Sequence, residues 1–447
     1  MPKIRMENTQ HSLITEGVQS HEQTLATIKP FWVFFVGNIG VSVWLLGVLI
    51  AGMGLNFADA MFVILLSSLV GTAFPALTSI LGPLTRLSQM EAGRFSLGRT
   101  GKKLPAFLNW VGAIGWDTIN NVLSGAAFVS FLAVIGLHVP FWLALGVLVF
   151  VQMLIGIYGH HLIQDTSQYT GIVLGFFFAV IGIIAMHKTG VTAPTAPAAA
   201  PKDVLGAFLL LMAYSAVSWT TYTADYTRYL PAKTSSKKVF TSVFFGLFLS
   251  FLALTFFGYV TASAVTEQAP EGVMHALQNL TGKFAPLVLF LIAFNSIPVN
   301  AINDNSAAYS LMSAGLKISR PLAAAVGAIL GYVICILASS SFVDFYENFL
   351  FLFAHWVTPW AAILLVHWFC IGKKEQVTIS GITRGSIIFV LVSALSIVLF
   401  SANSLYTGLL SNRVGGADIG PYIGFVTAGL IYYVSLKLWP QKYRAAK

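Results

Sequence analysis

Four stretches of an otherwise apolar chain carry the residues that could do chemistry. In GWDTINN (115–121), Trp116 and Asn120 stand four apart and share one helical face. An indole offers a stacking surface, and a carboxamide both donates and accepts hydrogen bonds, as a flat heterocycle requires. Asp117 lies one residue round the helix, and Asn121 stacks below it. The plainer reading is an interfacial tryptophan with interhelical hydrogen bonds. It fits poorly, because the group lies well inside a long apolar run.

In AYSAVSWTTYTADYTRY (213–229), Ser215, Ser218, Trp219 and Tyr222 follow the spacing of one polar-aromatic helix face. That face is expected to wall a site, with Asp225 and Arg228 an ordinary ion pair at the helix end. In FNSIPVNAINDNSAAYS (294–310), Asn300, Asn303 and Asp304 share a face, and Pro298 could loosen the helix above them. So many amides and a carboxylate are too costly in hydrocarbon to be incidental. Asn295 alone reads as interfacial. In FFVGNIGVSVWLLG (34–47), Gly37 and Gly40 flank Asn38, where a helix can open and expose carbonyls. Glycines also serve close packing in membrane helices.

Other polar residues read more simply. Asp344 and Glu347 fit a solvated rim, and His355 and His367 fit core hydrogen bonding. Cys335 and Cys370 both lie in apolar runs, so no disulfide framework follows. HExxH, paired CxxC, P-loop and GxSxG patterns are missing from the sequence, so no enzyme, metal site, cofactor or ATP drive is expected.

These groups need a scaffold that shields them. Of 447 residues, 57% are hydrophobic and 9% charged, with a net charge of +9. A soluble domain carries roughly a quarter charged residues, so the solvent around most of this chain is lipid. The basic residues fall in short loops and form no face or groove, which excludes a nucleic-acid partner.

A bilayer core needs about 20 apolar residues of helix. That ruler gives twelve spans: 30–53, 57–81, 104–135, 138–158, 168–188, 203–229, 239–263, 284–314, 321–341, 345–371, 386–403 and 419–439. With both termini cytoplasmic, every Lys and Arg except Lys188, Lys202, Lys283 and Arg413 falls on the inner side. The first 29 residues are polar and the first apolar run is too long for a signal-peptide core, so no cleavable signal is expected.

The predicted organisation is a cytoplasmic segment (1–29), a first five-helix repeat (30–188), a Pro/Ala-rich external linker (189–202), a second repeat (203–371), and two further helices with a short tail (372–447). Five is odd, so the second repeat must insert upside down relative to the first. Inverted repeats of this kind build many secondary transporters, with the site at the midplane between them.

At GRFSLGRTGKKLPAFL (93–108), GWDTINNVLSGA (115–126), SWTTYTADYTRYLP (218–231) and NDNSAAYSLMSAGL (303–316), the chain resembles nucleobase–cation symporter family 1, the purine–cytosine permease group. The stretches occur in the family's order, and the resemblance covers about 30–371. It implies an all-α polytopic protein with a LeuT-like 5+5 inverted repeat plus two C-terminal helices, spans one and six broken. It also implies that Trp116 stacks on the substrate ring and that Asn120 hydrogen-bonds it. Trp219 best matches a span-six aromatic, which other relatives carry where Ala216 stands here. Ser215 and Ser218 match the small contacts of that segment, and Asn300, Asn303 or Asn305 the span-eight amide. Asn38, Gly37 and Gly40 form the opened part of span one. Sodium-coupled relatives use Ser/Thr hydroxyls of span eight, yet PVNAINDN has neither before Ser306. Proton coupling through Asp304 or Asp117 is therefore expected over sodium, since a desolvated carboxylate can bind and release a proton during transport.

The sequence thus predicts a monomeric importer of a nucleobase, cytosine or a purine, in a bacterial cytoplasmic membrane. Within the same class, the alternative is a carrier of hydantoin, allantoin or a thiamine-related pyrimidine. A membrane sensor and an intramembrane enzyme are the rivals from other classes. No nucleophile–base motif supports the enzyme.

Overall fold

Residues 17–158, 160–189, 199–316, 320–371 and 381–439 are described by a computed structural model. Among them the chain is helical, with a single isolated bridge between Ala402 and Thr407. Helix is the expected outcome in lipid, where each backbone N–H and C=O must be satisfied within its own segment.

Each predicted span falls on one helix or on two or three helical pieces. Seven of the described helices are long and apolar enough to cross a membrane, or eight if a bent pair counts as one span. One of the seven, Ala325–Cys370, runs through predicted spans nine and ten, and Phe141–Leu154 and Arg384–Phe400 are shorter apolar helices. Twelve crossings are consistent with this arrangement.

Two spans are interrupted where the polar stretches lie. Span one consists of Lys29–Asn38 and Val41–Gly52, bent by 53°. Between them Ile39 and Gly40 are extended. Span six runs as Pro201–Met212, widens to a π-helical turn at Ala213–Val217, and resumes only at Thr223–Thr227. The regular face expected for Ser215, Ser218, Trp219 and Tyr222 therefore does not exist. Pro298, in contrast, sits inside a continuous helix, Ala285–Ser313.

Packing sorts the spans into two groups. Broken span one packs along span seven, and span two along spans six and seven. Span eight lies along span three, with spans four and nine against the same pair. Span ten bridges to the last two helices. His355 there bonds Ser396 Oγ at 2.8 Å and Asp418 at 3.1 Å, and His367 meets Tyr432 OH at 2.9 Å. The two histidines thus have the core role expected of them.

Some elements were not anticipated. An amphipathic helix, Pro270–Thr281, precedes span eight. Short helices at Leu81–Thr85, Gln89–Ala92 and Arg94–Gly101 fold the loop before span three. Of the expected linker 189–202, residues 190–198 lie outside the described residues, and helix already begins at Pro201. Most of the segment 1–29 and the tail after Trp439 are likewise outside them.

Candidate substrate site

The broken spans are held by side chains facing each other across the break. Asn38, the last residue of the first half-helix, accepts a hydrogen bond from Trp219 Nε1 at 2.8 Å and donates to the Leu247 carbonyl at 3.4 Å. The Trp219 indole lies against Gly37 so closely that a Cβ there would overlap the ring. Phe34 and Tyr222 meet the indole edge-on. Asn38, Gly37 and Trp219 therefore tie span one to span six and span seven. Asn38 has little amide left for a ligand.

The span-six hydroxyls are also committed to backbone. Ser215 donates toward the carbonyls of Ser67 at 3.1 Å and Leu211 at 2.9 Å, and Ser218 donates to the Tyr214 carbonyl. Back-bonding of this type competes with the regular helix and accompanies a bend, in keeping with the π-turn here. Asp225 and Arg228 correct the expected ion pair, since they do not bond each other. Asp225 accepts from the Gln89 backbone N–H at 2.8 Å and from Ser306 Oγ at 2.7 Å. Arg228 stacks over Tyr309 at 4.2 Å and bonds Tyr229 OH at 2.9 Å.

Asn295 is a second correction. It is buried, not interfacial, and its Nδ2 donates to the Ile39 carbonyl at 2.7 Å. Gly40 lies beside the same amide. A cavity of about 10 Å³, room for one water, is lined here by Gly37, Gly40, Ser42, Asn120, Asn295 and Ser296 among others.

Beyond it runs a relay of side-chain amides. Ser42 Oγ donates to Asn120 Oδ1 at 3.3 Å, and Asn120 Nδ2 donates to Asn300 Oδ1 at 2.9 Å. Asn300 Nδ2 donates to Asn121 Oδ1 at 3.0 Å and Gln152 Oε1 at 3.3 Å. Gln152 Nε2 donates to Asn121 Oδ1 at 2.7 Å and Ser296 Oγ at 2.8 Å. Spans one, three, four and eight meet in this relay. The sequence reading missed Gln152, Ser42 and Ser296. A lone glutamine in FVQML (150–154) was the available signal.

One turn along, Asn303 Nδ2 donates to Asp117 Oδ1 at 3.0 Å, and Asp304 is in hydrogen-bond contact with Asp117. Trp116 is buried with Tyr214, Phe349 and Phe353 edge-on around it at 5.2, 5.0 and 6.1 Å. Among the described residues its indole N–H has no partner, and neither does the buried Tyr222 hydroxyl at the span-six break. The structure thus brings Trp116, Asn120, Asn300, Asn303, Asp117 and Asp304 together on facing spans three and eight. It gives Trp116 and Trp219 separate sets of ring neighbours.

A larger cavity of about 770 Å³ lies elsewhere, between spans three, nine and ten. It is mostly apolar and contains none of the relay amides; Ser341, Asp344, Asn348 and Ser404 are its polar lining, and Phe349 and Phe353 of its wall are ring neighbours of Trp116.

A family model described as permeases for cytosine/purines, uracil, thiamine and allantoin matches residues 17–409. The chain belongs to this family. It is therefore a multi-pass membrane transporter of the nucleobase–cation symporter group. It is 28% identical over 436 residues to the putative purine-cytosine permease YxlA of Bacillus subtilis (strain 168), covering 91% of this chain and 92% of that one. It is 24% identical over 356 residues to the vitamin B6 transporter TPN1 of Saccharomyces cerevisiae, covering 75% and 61%. Among solved structures, Mhp1, a nucleobase-cation-symport-1 family transporter in a closed conformation with bromovinylhydantoin bound, matches with TM-score 0.78 at 14% identity, over 96% of each chain. That likeness carries the LeuT-like fold of this family member, and the fold by itself names no substrate.

Proposed function

We propose that this transporter imports a nucleobase, cytosine or a purine, together with a proton, by alternating access. The carrying observation is the relay of buried amides beside a tryptophan whose indole N–H lacks a partner among the described residues. Trp116 stacks on the ring, and Asn120 reads its edge, with Asn300 and Asn303 behind. A buried polar atom without a partner is uncommon and marks where a ligand group can supply one. The relatives' names support this substrate class, and the two groups of spans rocking about the site supply the motion.

Proton coupling is supported by the contact of Asp117 with Asp304 and by Asn295. The Asn295 amide already satisfies the Ile39 carbonyl opened by the break, which a cation would otherwise meet. The distribution of Lys and Arg supports cytoplasmic termini in a bacterial cytoplasmic membrane, and the protein acts as a monomer.

The test is uptake of labelled cytosine by cells lacking their own permeases, expressing this chain or its Asn120→Ala variant. Adenine, hypoxanthine, uracil, allantoin, hydantoin and pyridoxine are added singly in excess. Saturable uptake that the variant loses, and that cytosine or a purine blocks best, is the expected result. No cytosine uptake despite verified membrane expression overturns this substrate.

A further inference from the structure

We infer that Gln152, in the fourth span, is a positioning residue. It fixes the direction in which the site's amides point and so sets the donor–acceptor edge that a substrate ring must present. The inference rests on the nucleobase reading.

Gln152 is the one amide in Phe141–Leu154 and is buried. A glutamine in an apolar span faces protein and has its hydrogen bonds met there. Each bond in the relay limits the next, because an amide oxygen only accepts and an amide nitrogen only donates. Ser296 Oγ is within 3.5 Å of the Ala293 carbonyl, to which its hydroxyl donates, so toward Gln152 it accepts. Gln152 therefore turns its nitrogen to Ser296, with the second N–H going to Asn121 Oδ1. Its oxygen is left facing Asn300. Asn300 then points its nitrogen at Gln152 and Asn121, and the same nitrogen lies 3.5 Å from the Asp117 carbonyl, a longer contact that favours the same orientation. Its oxygen is turned to Asn120, which has to donate. Asn120 is the half-buried end of this chain, while Asn121, Gln152, Asn300 and Ser296 are buried. What Asn120 has left for a ring is one N–H and the free side of an oxygen already approached by Ser42.

Turning one amide over would set oxygen against oxygen and nitrogen against nitrogen, so the members turn together or not at all. Gln152 touches two of the other amides and is anchored outside them at Ser296 by a 2.8 Å bond, shorter than the 3.5 Å from Asn300 to the Asp117 carbonyl. Without it, Asn121 could donate to Asn300, Asn300 to Asn120, and Asn120 would offer the reverse pattern, with only the 3.5 Å contact from Asn300 to the Asp117 carbonyl given up. Cytosine and uracil are the matched probes, since the ring edge spanning N3 and C4 has its donor and acceptor exchanged between them. A site built to hydrogen-bond one edge rejects the other because buried groups are then left unpaired.

The experiment measures KM and maximal rate for labelled cytosine and labelled uracil in cells lacking their own permeases. It compares the unaltered chain, Gln152→Leu and Ser296→Ala. In Gln152→Leu, the ratio of the two KM values is expected to move toward unity by about tenfold, with the maximal rate for the preferred base changing less than the ratio. Ser296→Ala removes the anchor while leaving Gln152 in place. It should shift the ratio the same way, and it decides the matter if Gln152→Leu does not reach the membrane. An unchanged ratio, with both bases weakened equally, overturns the inference and leaves Gln152 a packing residue. Uptake of neither base by the unaltered chain overturns the cytosine reading, and this inference with it.

Discussion

Asn295 Nδ2 of span eight lies 2.7 Å from the carbonyl oxygen of Ile39, at the point where span one changes direction. A helix that opens in lipid leaves carbonyls without donors, and each unmet group costs free energy on the order of a lost hydrogen bond. Here a side chain from the opposite packing group supplies the donor. The amide carries two consequences, one for stability and one for ion choice.

The stability consequence concerns Asn295→Leu, which keeps the volume but strands the Ile39 carbonyl. The variant is expected to lose about 1–3 kcal/mol. Thermal unfolding of the purified protein in detergent would register this as a lower midpoint, and an unchanged midpoint would show that the carbonyl finds water or another donor. The ion consequence is that cytosine uptake by the unaltered chain should not change when sodium is replaced by choline. Sodium-dependent uptake would count against the proton reading.

Gly37 and the Trp219 indole form a second close relationship. No side chain fits at position 37 without moving the ring that bonds Asn38. Gly37→Val should therefore abolish uptake while the protein still reaches the membrane, because it misaligns both broken spans. Pairing it with Trp219→Leu should recover part of the activity by making room. If Gly37→Val transports normally, the indole is not a fixed brace.

The Asp117–Asp304 contact predicts which half of the cycle needs a proton. If the pair carries the coupled proton, as proposed, uptake should rise as external pH falls. In Asp304→Asn the proton cannot be exchanged, so concentrative uptake should disappear. Exchange of labelled for unlabelled base across the membrane should remain. Loss of both processes would mean that Asp304 holds substrate or structure and does not couple.

On the loop before span three, Lys102 Nζ lies 2.6 Å from Glu91 Oε2 and 2.7 Å from the Ser313 carbonyl, and the pair is buried. Burial holds the Lys102 ammonium below the usual lysine range, although Glu91 beside it pulls the other way. A base whose folded pKa is depressed binds fewer protons folded than unfolded, so stability rises with pH through the interval between the two values. Glu91→Gln removes the partner that favours the charge. It should cost about 3–5 kcal/mol at neutral pH, with part of the loss restored toward the ordinary lysine range as Lys102 deprotonates. Unfolding midpoints of both proteins from pH 7 to 10 test this. A constant gap across that range would argue against it.

The sequence alone determined the solvent, the approximate spans and the residues too polar to face lipid. Those follow from local quantities: the length of apolar runs, the near-absence of charge, and the 3.6-residue period that puts Trp116 with Asn120 and Asn300 with Asn303. The break in span one was also legible, because Gly37 and Gly40 weaken a helix wherever it is placed. The roles of the polar atoms were decided only by tertiary structure. Asn38, Ser215 and Trp219 looked like ligand contacts, yet across the fold they meet one another and groups on spans two and seven that no sequence spacing relates to them. Asn295 looked interfacial by its place in the run, yet the bend of span one brings a carbonyl to it. Gln152 gave little signal by itself, since a single amide in an apolar helix acquires meaning from its neighbours. Hydrogen bonds are short and directional, so which polar residues are satisfied, and which are left open to a substrate, depends on how the helices cross.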